Sequence, residues 1–221
     1  MPSRARSVHN DTSESSTVSE NGSTARVARR RLSARDLALI ASFAALIVVL
    51  GIPGAIDPVG SGVPITLQSL GVMLAGSLLG ARRGAAAVTV VVALCAIGLP
   101  VLAGGRGGLG VFASATVGFL FGYIAGAAVI GYIVARRSAS PSKAVWGTSF
   151  GILFGGIVVI HALGIPGMMW RANLSFAQAF AADLVFVPGD LAKALVAIFV
   201  TLAVQRAFPE LLPARGARRA S

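Results

Sequence analysis

Two ionisable residues stand in an otherwise apolar stretch, "VPGDLAKAL" (187–195). Asp190 and Lys193 are three residues apart, a spacing that places them on the same face of a helix. An ionised group near the middle of a membrane helix costs about 2.5–3.5 kcal/mol on insertion scales. The pair is therefore either an ion pair that stabilises the protein, a lysine that extends to the membrane surface, or a site for a polar ligand. In a ligand site, the aspartate accepts hydrogen bonds from N–H groups and the lysine attracts a carboxylate.

A second motif has the form of a nucleophile site. "GTSFG" (147–151) fits the G-x-S-x-G pattern of serine hydrolases, and His161 follows on the same predicted helix. Twelve helical residues separate Ser149 from His161 by about 18 Å, whereas a general base must lie about 3 Å from its nucleophile. The two residues do not form a dyad within one chain, and we expect His161 to be a helix-end histidine or a ligand-facing polar group.

Nucleotide and metal chemistry are also disfavoured. "GRGGLG" (105–110) fits a dinucleotide-binding pattern, but it lies between predicted membrane helices rather than between a strand and a helix. We interpret it as a flexible loop or a close backbone approach. The chain has no P-loop motif, and its single cysteine, Cys95, allows neither an intrachain disulfide nor a cysteine metal cluster. We predict that the protein is not an enzyme and needs no cofactor and no metal.

The elements that position the charged pair are apolar helices. Of the 221 residues, 55% are hydrophobic and only 12% are charged, against about 25% charged in soluble domains. The fold class predicted is an all-α membrane protein with six transmembrane helices, at about 36–55, 66–80, 84–103, 115–135, 144–164 and 188–207. A further short helix is expected over 174–187, with Asp183 near the membrane interface. Residues 1–33 are predicted to be a disordered tail, 34–208 the membrane domain, and 209–221 a basic tail.

The distribution of basic residues predicts the orientation. With the N-terminus inside, sixteen of the nineteen Lys and Arg residues fall in the two tails and the inner loops. Only Arg106 and Arg171 fall in outer loops, and Lys193 lies in the membrane. This bias favours six helices with both ends in the cytoplasm. The net charge of +11 is thus explained by topology, and no nucleic-acid partner is expected.

The first predicted helix carries small residues at helical spacing. They form a ridge that allows close approach of another helix, either inside this bundle or on a partner membrane protein: Ala34, Ala38, Ala41, Ser42 and Ala45.

Three stretches resemble the BioY family, the biotin-specific substrate-binding (S) components of energy-coupling factor (ECF) transporters. They are "VPITLQSLGVMLAGSLLGARRGA" (63–85), "AIGLPVLAGGRGGLGV" (96–111) and "VPGDLAKAL" (187–195). The family pattern is matched by Pro64–Gln68, by Gly98–Val101, and by Pro188, Gly189, Asp190 and Lys193. The likeness covers about residues 36–208. At 114–119 the chain departs from the pattern: Thr116 and Gly118 are kept, but Phe119 stands where the family often has a tyrosine.

The resemblance implies high-affinity biotin uptake across the bacterial cytoplasmic membrane. It implies partners as well: a transmembrane scaffold (T) subunit, which the ridge on the first helix would contact, and two ATPase (A) subunits. Biotin would be bound by Asp190, which accepts from a ureido N–H or positions Lys193, and by Lys193, which holds the valerate carboxylate. Gln68 and Thr66 would complete the polar contacts, and Phe119 would contact the ligand without the hydroxyl of a tyrosine. The alternatives are an S-component for another vitamin, or a solitary biotin transporter that works without ATPases.

Overall fold

A computed structural model describes residues 33–52, 65–136 and 141–208, and this part of the chain is helical. It contains no strand, and an isolated antiparallel bridge joins Leu102 to Arg106. The α-helices are α1 (Ala34–Val49), α2 (Gln68–Leu79), α3 (Ala81–Ala96), α4 (Val117–Ala135), α5 (Pro141–Leu153), α6 (Ile160–Ala172), α7 (Phe176–Leu184) and α8 (Val187–Ala207). A short 3₁₀ helix (Leu109–Ala113) precedes α4, and a π-helical segment (Phe154–Val159) joins α5 to α6. Of the predicted tails, 1–33 and 209–221, all but Ser33 lie outside the described residues.

The fifth predicted helix is longer than the sequence indicated. α5, the π segment and α6 follow one another without a break, so the helical backbone continues to Ala172 rather than ending near 164. Pro166 lies inside α6, and a proline is tolerated in membrane helices whose neighbours pack closely. The helix ends at Asn173, which adopts the left-handed conformation typical of a helix end. Arg171 therefore lies in the last helical turn and not in a loop.

Glycines on α4 bring it into close contact with α6 and the π segment. A Cβ at Gly118 would overlap the carbonyl oxygen of Leu163, and one at Gly126 would lie 2.7 Å from the carbonyl oxygen of Gly155. Small residues at a four-residue repeat let the two backbones approach, as is common in membrane helices. α4 consequently forms the centre of the bundle, with Ala127 and Ile130 fully buried.

Three of the described helical stretches are long and apolar enough to cross a membrane: Val117–Ala135, Ala144–Ala172 and Val187–Ala207. α2 is apolar but shorter. The prediction of an all-α protein with apolar helices is thus confirmed at this coarser level. The predicted helix positions agree for α4 and α8 within two residues, and α7 lies inside the stretch predicted for the short helix.

α1 has one face against the bundle and one face outside it. Ile40, Ala44 and Ile47 are buried against the rest of the protein. The five small residues of the predicted ridge are all exposed: Ala34, Ala38, Ala41, Ser42 and Ala45. Among the described residues, no neighbouring helix buries these five side chains.

Candidate ligand-binding site

A cavity of about 580 Å³, including the space at its open mouth, lies among α2, α4, α6, α8 and the loop between α3 and α4. Of its fourteen lining residues, seven are apolar or aromatic and seven are polar or charged. Small-molecule sites combine apolar walls with polar groups that fix the orientation of the ligand. The lining residues are Ile65, Thr66, Gln68, Ser69, Leu102, Arg106, Thr116, Phe119, Leu120, Tyr123, Ile160, Phe186, Asp190 and Lys193.

Asp190 and Lys193 form a buried ion pair in the wall of this cavity. The Lys193 Nζ donates to Asp190 Oδ1 at 2.8 Å and to the hydroxyl of Ser69 at 3.2 Å. Ser69, on α2, donates in turn to Asp190 Oδ1 at 2.9 Å. The three side chains form a closed triangle, which we call the α8–α2 polar triangle. Because both charged residues are only 8% exposed, removing one partner leaves the other charge buried and unpaired.

The start of α8 determines where this pair lies. Pro188 occupies the first turn, where its missing N–H is no loss, and Asp190 follows within the same turn. A carboxylate there is favoured by the positive end of the helix dipole. One turn of α8 therefore places Asp190 and Lys193 on the same side of the helix, as their spacing predicted. That side faces Ser69 on α2.

A histidine and a second aspartate lie behind the pair. His161 Nδ1 is 2.7 Å from Asp183 Oδ1, and His161 Nε2 is 3.2 Å from Asp190 Oδ2. His161 lies inside the continuous α5–α6 stretch, so its interpretation as a helix-end histidine was wrong. Asp183 is 3% exposed and is thus buried inside the protein. Ser149 does not line the cavity, and His161 is directed to the two aspartates instead.

The amide of Gln68 holds surrounding backbone in place. Its Nε2 donates to the carbonyl oxygens of Ile47 at 3.3 Å and Val101 at 3.0 Å. Its Oε1 accepts from the backbone N–H of Ala103 at 3.0 Å. Both amide hydrogens and one acceptor position are thus used within the protein. The backbone N–H of Gln68 donates to the Thr66 hydroxyl at 3.0 Å, which fixes the start of α2.

We expect Gln68→Leu to weaken ligand binding because it releases the loop around Val101 and Ala103 from α1 and α2. The loss of bonds to three buried backbone groups costs about 1–3 kcal/mol, which corresponds to a roughly 5- to 150-fold weaker affinity if the bound state needs this loop geometry. The measurement is a ligand titration of the purified protein. Unchanged affinity in a variant of lowered thermal stability would show that the amide serves the fold alone.

The same loop carries Arg106 over the cavity. Arg106 donates from Nε to the Ala103 carbonyl at 3.2 Å and from Nη1 to the Thr116 hydroxyl at 3.4 Å. Its position depends on the adjoining glycines: Gly108 has φ +83°, and a Cβ on Gly107 would overlap the Leu99 carbonyl. The glycine-rich motif is thus explained by a close backbone approach.

Phe119, on α4, also lines the cavity. Its ring is 7% exposed and meets the His161 ring edge-on, with 6.0 Å between the ring centroids. It meets Phe186 in the same manner at 6.2 Å. Edge-to-face packing of this kind fixes all three rings, so the wall is preorganised for an apolar group.

Comparison with known proteins agrees with this arrangement. Residues 23–210 match the BioY family. The chain belongs to the BioY family. Two relatives are each named a biotin transporter BioY: that of Rhizobium etli is 52% identical over 190 residues, covering 83% of this chain and 100% of the relative. That of Rhodobacter capsulatus is 50% identical over 191 residues, covering 82% and 99%.

A solved structure has the same fold as this BioY-family chain. It is the crystal structure of the S-component for biotin from an ECF-type ABC transporter, with a TM-score of 0.75 and 29% identity. The match covers 81% of this chain and 96% of the solved one. The resemblance inferred from the sequence motifs is therefore confirmed, and membership of a family whose named relatives are transporters confirms that the protein is not an enzyme.

The cavity brings together the five residues predicted for ligand binding in this BioY-family chain: Thr66, Gln68, Phe119, Asp190 and Lys193. The predicted partner-docking residues of α1 do not line the cavity. Sequence reasoning missed Ser69 and the role of Arg106, which it counted only as a loop charge. Ser69 adjoins Gln68, and its position one residue inside an apolar helix was the available signal.

Proposed function

We propose that this protein binds biotin with high affinity and takes it up across the bacterial cytoplasmic membrane, as the substrate-specific subunit of an ECF transporter. The observation that carries the proposal is a cavity half lined by apolar and aromatic side chains, with the buried Asp190–Lys193 pair in its wall and Arg106 of the α3–α4 loop also lining it. Biotin combines a ureido group, an apolar ring and alkyl chain, and a carboxylate. The named biotin transporters among the relatives and the biotin S-component of the same fold support this choice.

The polar groups suggest how the ligand lies. Lys193 already directs two of its three N–H donors at Asp190 and Ser69. The α8–α2 polar triangle then offers a carboxylate acceptor for the ureido N–H groups and one remaining ammonium donor for the ureido carbonyl. Among the described lining residues, the basic groups are Lys193 and Arg106. We therefore place the valerate carboxylate at Arg106, whose planar donors match a carboxylate. The reverse orientation, with Lys193 holding the carboxylate, is the alternative.

Paired titrations of biotin and biotin methyl ester test both the function and the orientation. We expect tight binding of biotin by the wild type, and Arg106→Gln to lower biotin affinity by about 10- to 100-fold, the value of a charge-assisted hydrogen bond. The methyl ester, which lacks the charge, should bind both proteins with similar affinity. Failure of the wild type to bind biotin would contradict the function. A Lys193→Met variant that discriminates acid from ester, while Arg106→Gln does not, would support the reverse orientation.

We further propose that six segments cross the membrane, with both chain ends in the cytoplasm. The six are α1, α2, α3, α4, the continuous α5–α6 stretch and α8. The distribution of basic residues supports this orientation. Trp146 and Trp170, both highly exposed, stand near the two ends of the α5–α6 stretch. Their separation of about 36 Å at 1.5 Å per residue agrees with aromatic side chains at the two interfaces of a bilayer.

The exposed ridge of α1 is the surface we propose for the T subunit, with two A subunits supplying ATP hydrolysis. The ridge is exposed although its residues are small, and such residues favour close helix contact. The chain itself contains no P-loop motif. An S-component for another vitamin would be recognised by competition of that vitamin with biotin, and a solitary transporter by uptake in cells that lack the T and A subunits.

A further inference from the structure

His161 lies between two carboxylates. Its Nδ1 is 2.7 Å from Asp183 Oδ1, and its Nε2 is 3.2 Å from Asp190 Oδ2. An ionised carboxylate only accepts hydrogen bonds, whereas a neutral imidazole has one donor and one acceptor nitrogen. A neutral ring would therefore direct a lone pair at one of the two carboxylates. Both contacts are favourable only when both nitrogens carry a proton.

The balance of charge in the buried cluster favours the same state. Asp183, Asp190 and Lys193 are all nearly buried and carry two negative charges and one positive charge when ionised. A proton on His161 makes the group of four neutral. An uncompensated charge in an apolar environment is costly, so one stored proton is the state that burial favours.

The backbone has a feature that directs His161 to this place. The π-helical segment Phe154–Val159 ends immediately before α6, so His161 is the second residue of α6. A π turn contains an extra residue, which rotates the following side chains by about 100° relative to an uninterrupted α-helix. π-bulges in helices are frequent at functional sites. Without this rotation, the face of α6 that carries His161 would be turned away from Asp183 and Asp190.

His161 Nε2 is buried without a hydrogen bond, because the contact with Asp190 has an ion-pair distance but a poor direction. The other Asp190 oxygen is held by Ser69 and Lys193. The Asp190 carboxylate is thus held from both sides, and its orientation towards the cavity depends on the balance of these attractions.

Resting on the biotin-binding function proposed above, we propose that His161, as an imidazolium held by Asp183, is a positioning residue for Asp190, and that tight ligand binding requires the proton stored in this buried chain. We call Asp183, His161 and Asp190 the buried proton chain. His161 acts through Asp190 and does not itself line the cavity.

The other charged and titratable groups near the chain come from the surrounding elements. α8 contributes Lys193, α4 contributes the hydroxyl of Tyr123, and the loop between α3 and α4 contributes Arg106, which lines the same cavity. α2 contributes the Ser69 hydroxyl, and α4 also places the Phe119 ring against His161. A loss of affinity with pH must therefore be assigned by variants and not from the wild-type profile alone.

The direction of the pH effect follows from the charges. When the ring loses its proton, one nitrogen no longer donates, the Asp190 carboxylate loses its attraction to His161, and the cluster becomes net negative. Both changes disfavour a ligand whose ureido group needs a fixed carboxylate and which itself carries a negative charge. Biotin affinity is thus expected to fall as the pH rises.

The experiment is a biotin titration of the purified full-length protein over roughly pH 5 to 9, the range in which histidines commonly titrate. We expect the wild type to bind more weakly on the alkaline side. His161→Gln should bind about tenfold more weakly or worse at acidic pH, the effect of losing one charged contact, and show a flat profile. Asp183→Asn keeps an acceptor for Nδ1 but removes the charge that holds the proton on His161, so its loss of affinity should begin at a lower pH than that of the wild type. Thr201→Val, which removes the buried 2.7 Å contact with Ser77 outside the cavity, is the control for a lost polar contact and should keep the wild-type profile.

A second readout needs no ligand. The chain has two histidines, so His9→Gln leaves His161 as the one ring seen by nitrogen NMR. Two protonated ring nitrogens near neutral pH are expected, and a neutral ring would overturn the proposal even where His161→Gln fails to fold. A wild type that binds biotin equally well across the range, or a His161→Gln variant with the wild-type profile, would overturn it while leaving biotin binding intact. A wild type that binds no biotin at any pH would instead overturn the function on which the proposal rests.

Discussion

Asp190→Asn is expected to reduce biotin affinity by about 100-fold or more. The substitution removes a charged acceptor whose hydrogen bonds are worth about 1.5–3 kcal/mol, and it leaves Lys193 buried without its counter-charge. Asparagine keeps the shape of the side chain, so the cavity is retained and the change reports on charge. The measurement is isothermal titration of biotin against purified wild type and variant at one pH.

The matched control for this prediction is Thr201→Val, on the same helix. Thr201 is fully buried and contacts the Ser77 hydroxyl at 2.7 Å, but neither residue lines the cavity. The control loses a buried polar contact of the same helix, yet it should bind biotin as the wild type does. Equal loss of affinity in both variants would show that Asp190 matters only for the fold. Unchanged affinity in Asp190→Asn would show that the ion pair is not part of the ligand site.

Replacing both residues separates the contribution of the ion pair to stability from the contributions of Asp190 and Lys193 to ligand binding. Removing one partner of a buried ion pair leaves the other uncompensated, whereas removing both is often far less harmful to stability. Asp190→Asn combined with Lys193→Met should therefore recover thermal stability relative to either single variant. We expect no recovery of biotin affinity, because the ligand contacts themselves are absent.

The charged pair was accessible to sequence reasoning because its position is determined locally. A proline, an aspartate and a lysine within one apolar stretch specify a helix start, a charge in the first turn and a shared face. The apolar helices are accessible in the same way, since each is a continuous hydrophobic segment. None of these inferences depends on which other helix lies nearby.

The rest of the site depends on contacts distant in sequence. His161 meets Asp183 only because the π segment rotates α6. No residue pattern in 154–159 predicts the extra residue in that turn. Gln68 was expected to contact ligand because of the family resemblance, but its hydrogen-bond partners Ile47, Val101 and Ala103 come from elements distant in the sequence. Arg106 was counted as a topological charge, since the turn that directs a glycine-rich loop over a cavity is a property of the folded backbone.

The predicted end of the fifth helix was too early for a related reason. Pro166 and the two nearby glycines, Gly164 and Gly167, argue locally for a helix end, because each lowers helix propensity in an isolated chain. In the folded protein the same glycines let α6 lie against α4, and that packing maintains the helix to Ala172. Tertiary contacts here outweigh the local preference, as they commonly do in membrane bundles.

Bulky residues on the α1 ridge are expected to abolish biotin uptake while leaving biotin binding intact. Ala38→Trp and Ser42→Trp enlarge two exposed positions that allow close helix approach, so a T subunit that packs there is displaced. Neither residue lines the cavity, and the buried face of α1, formed by Ile40, Ala44 and Ile47, is untouched. The measurements are uptake in cells with the T and A subunits, copurification of the T subunit, and biotin titration of the isolated variant.

The control is Ala93→Trp, which places the same bulk at an exposed position on α3. We expect the α1 variants to lower uptake and copurification by at least about tenfold, because a packed helix contact of a few kcal/mol is lost, and the α3 variant to change neither. If the T subunit still copurifies with the α1 variants, the docking surface lies elsewhere on the protein. A different outcome is normal uptake by the α1 variants both in cells that have the T and A subunits and in cells that lack them. This would favour a solitary transporter, because a protein that works alone does not need a helix-docking ridge.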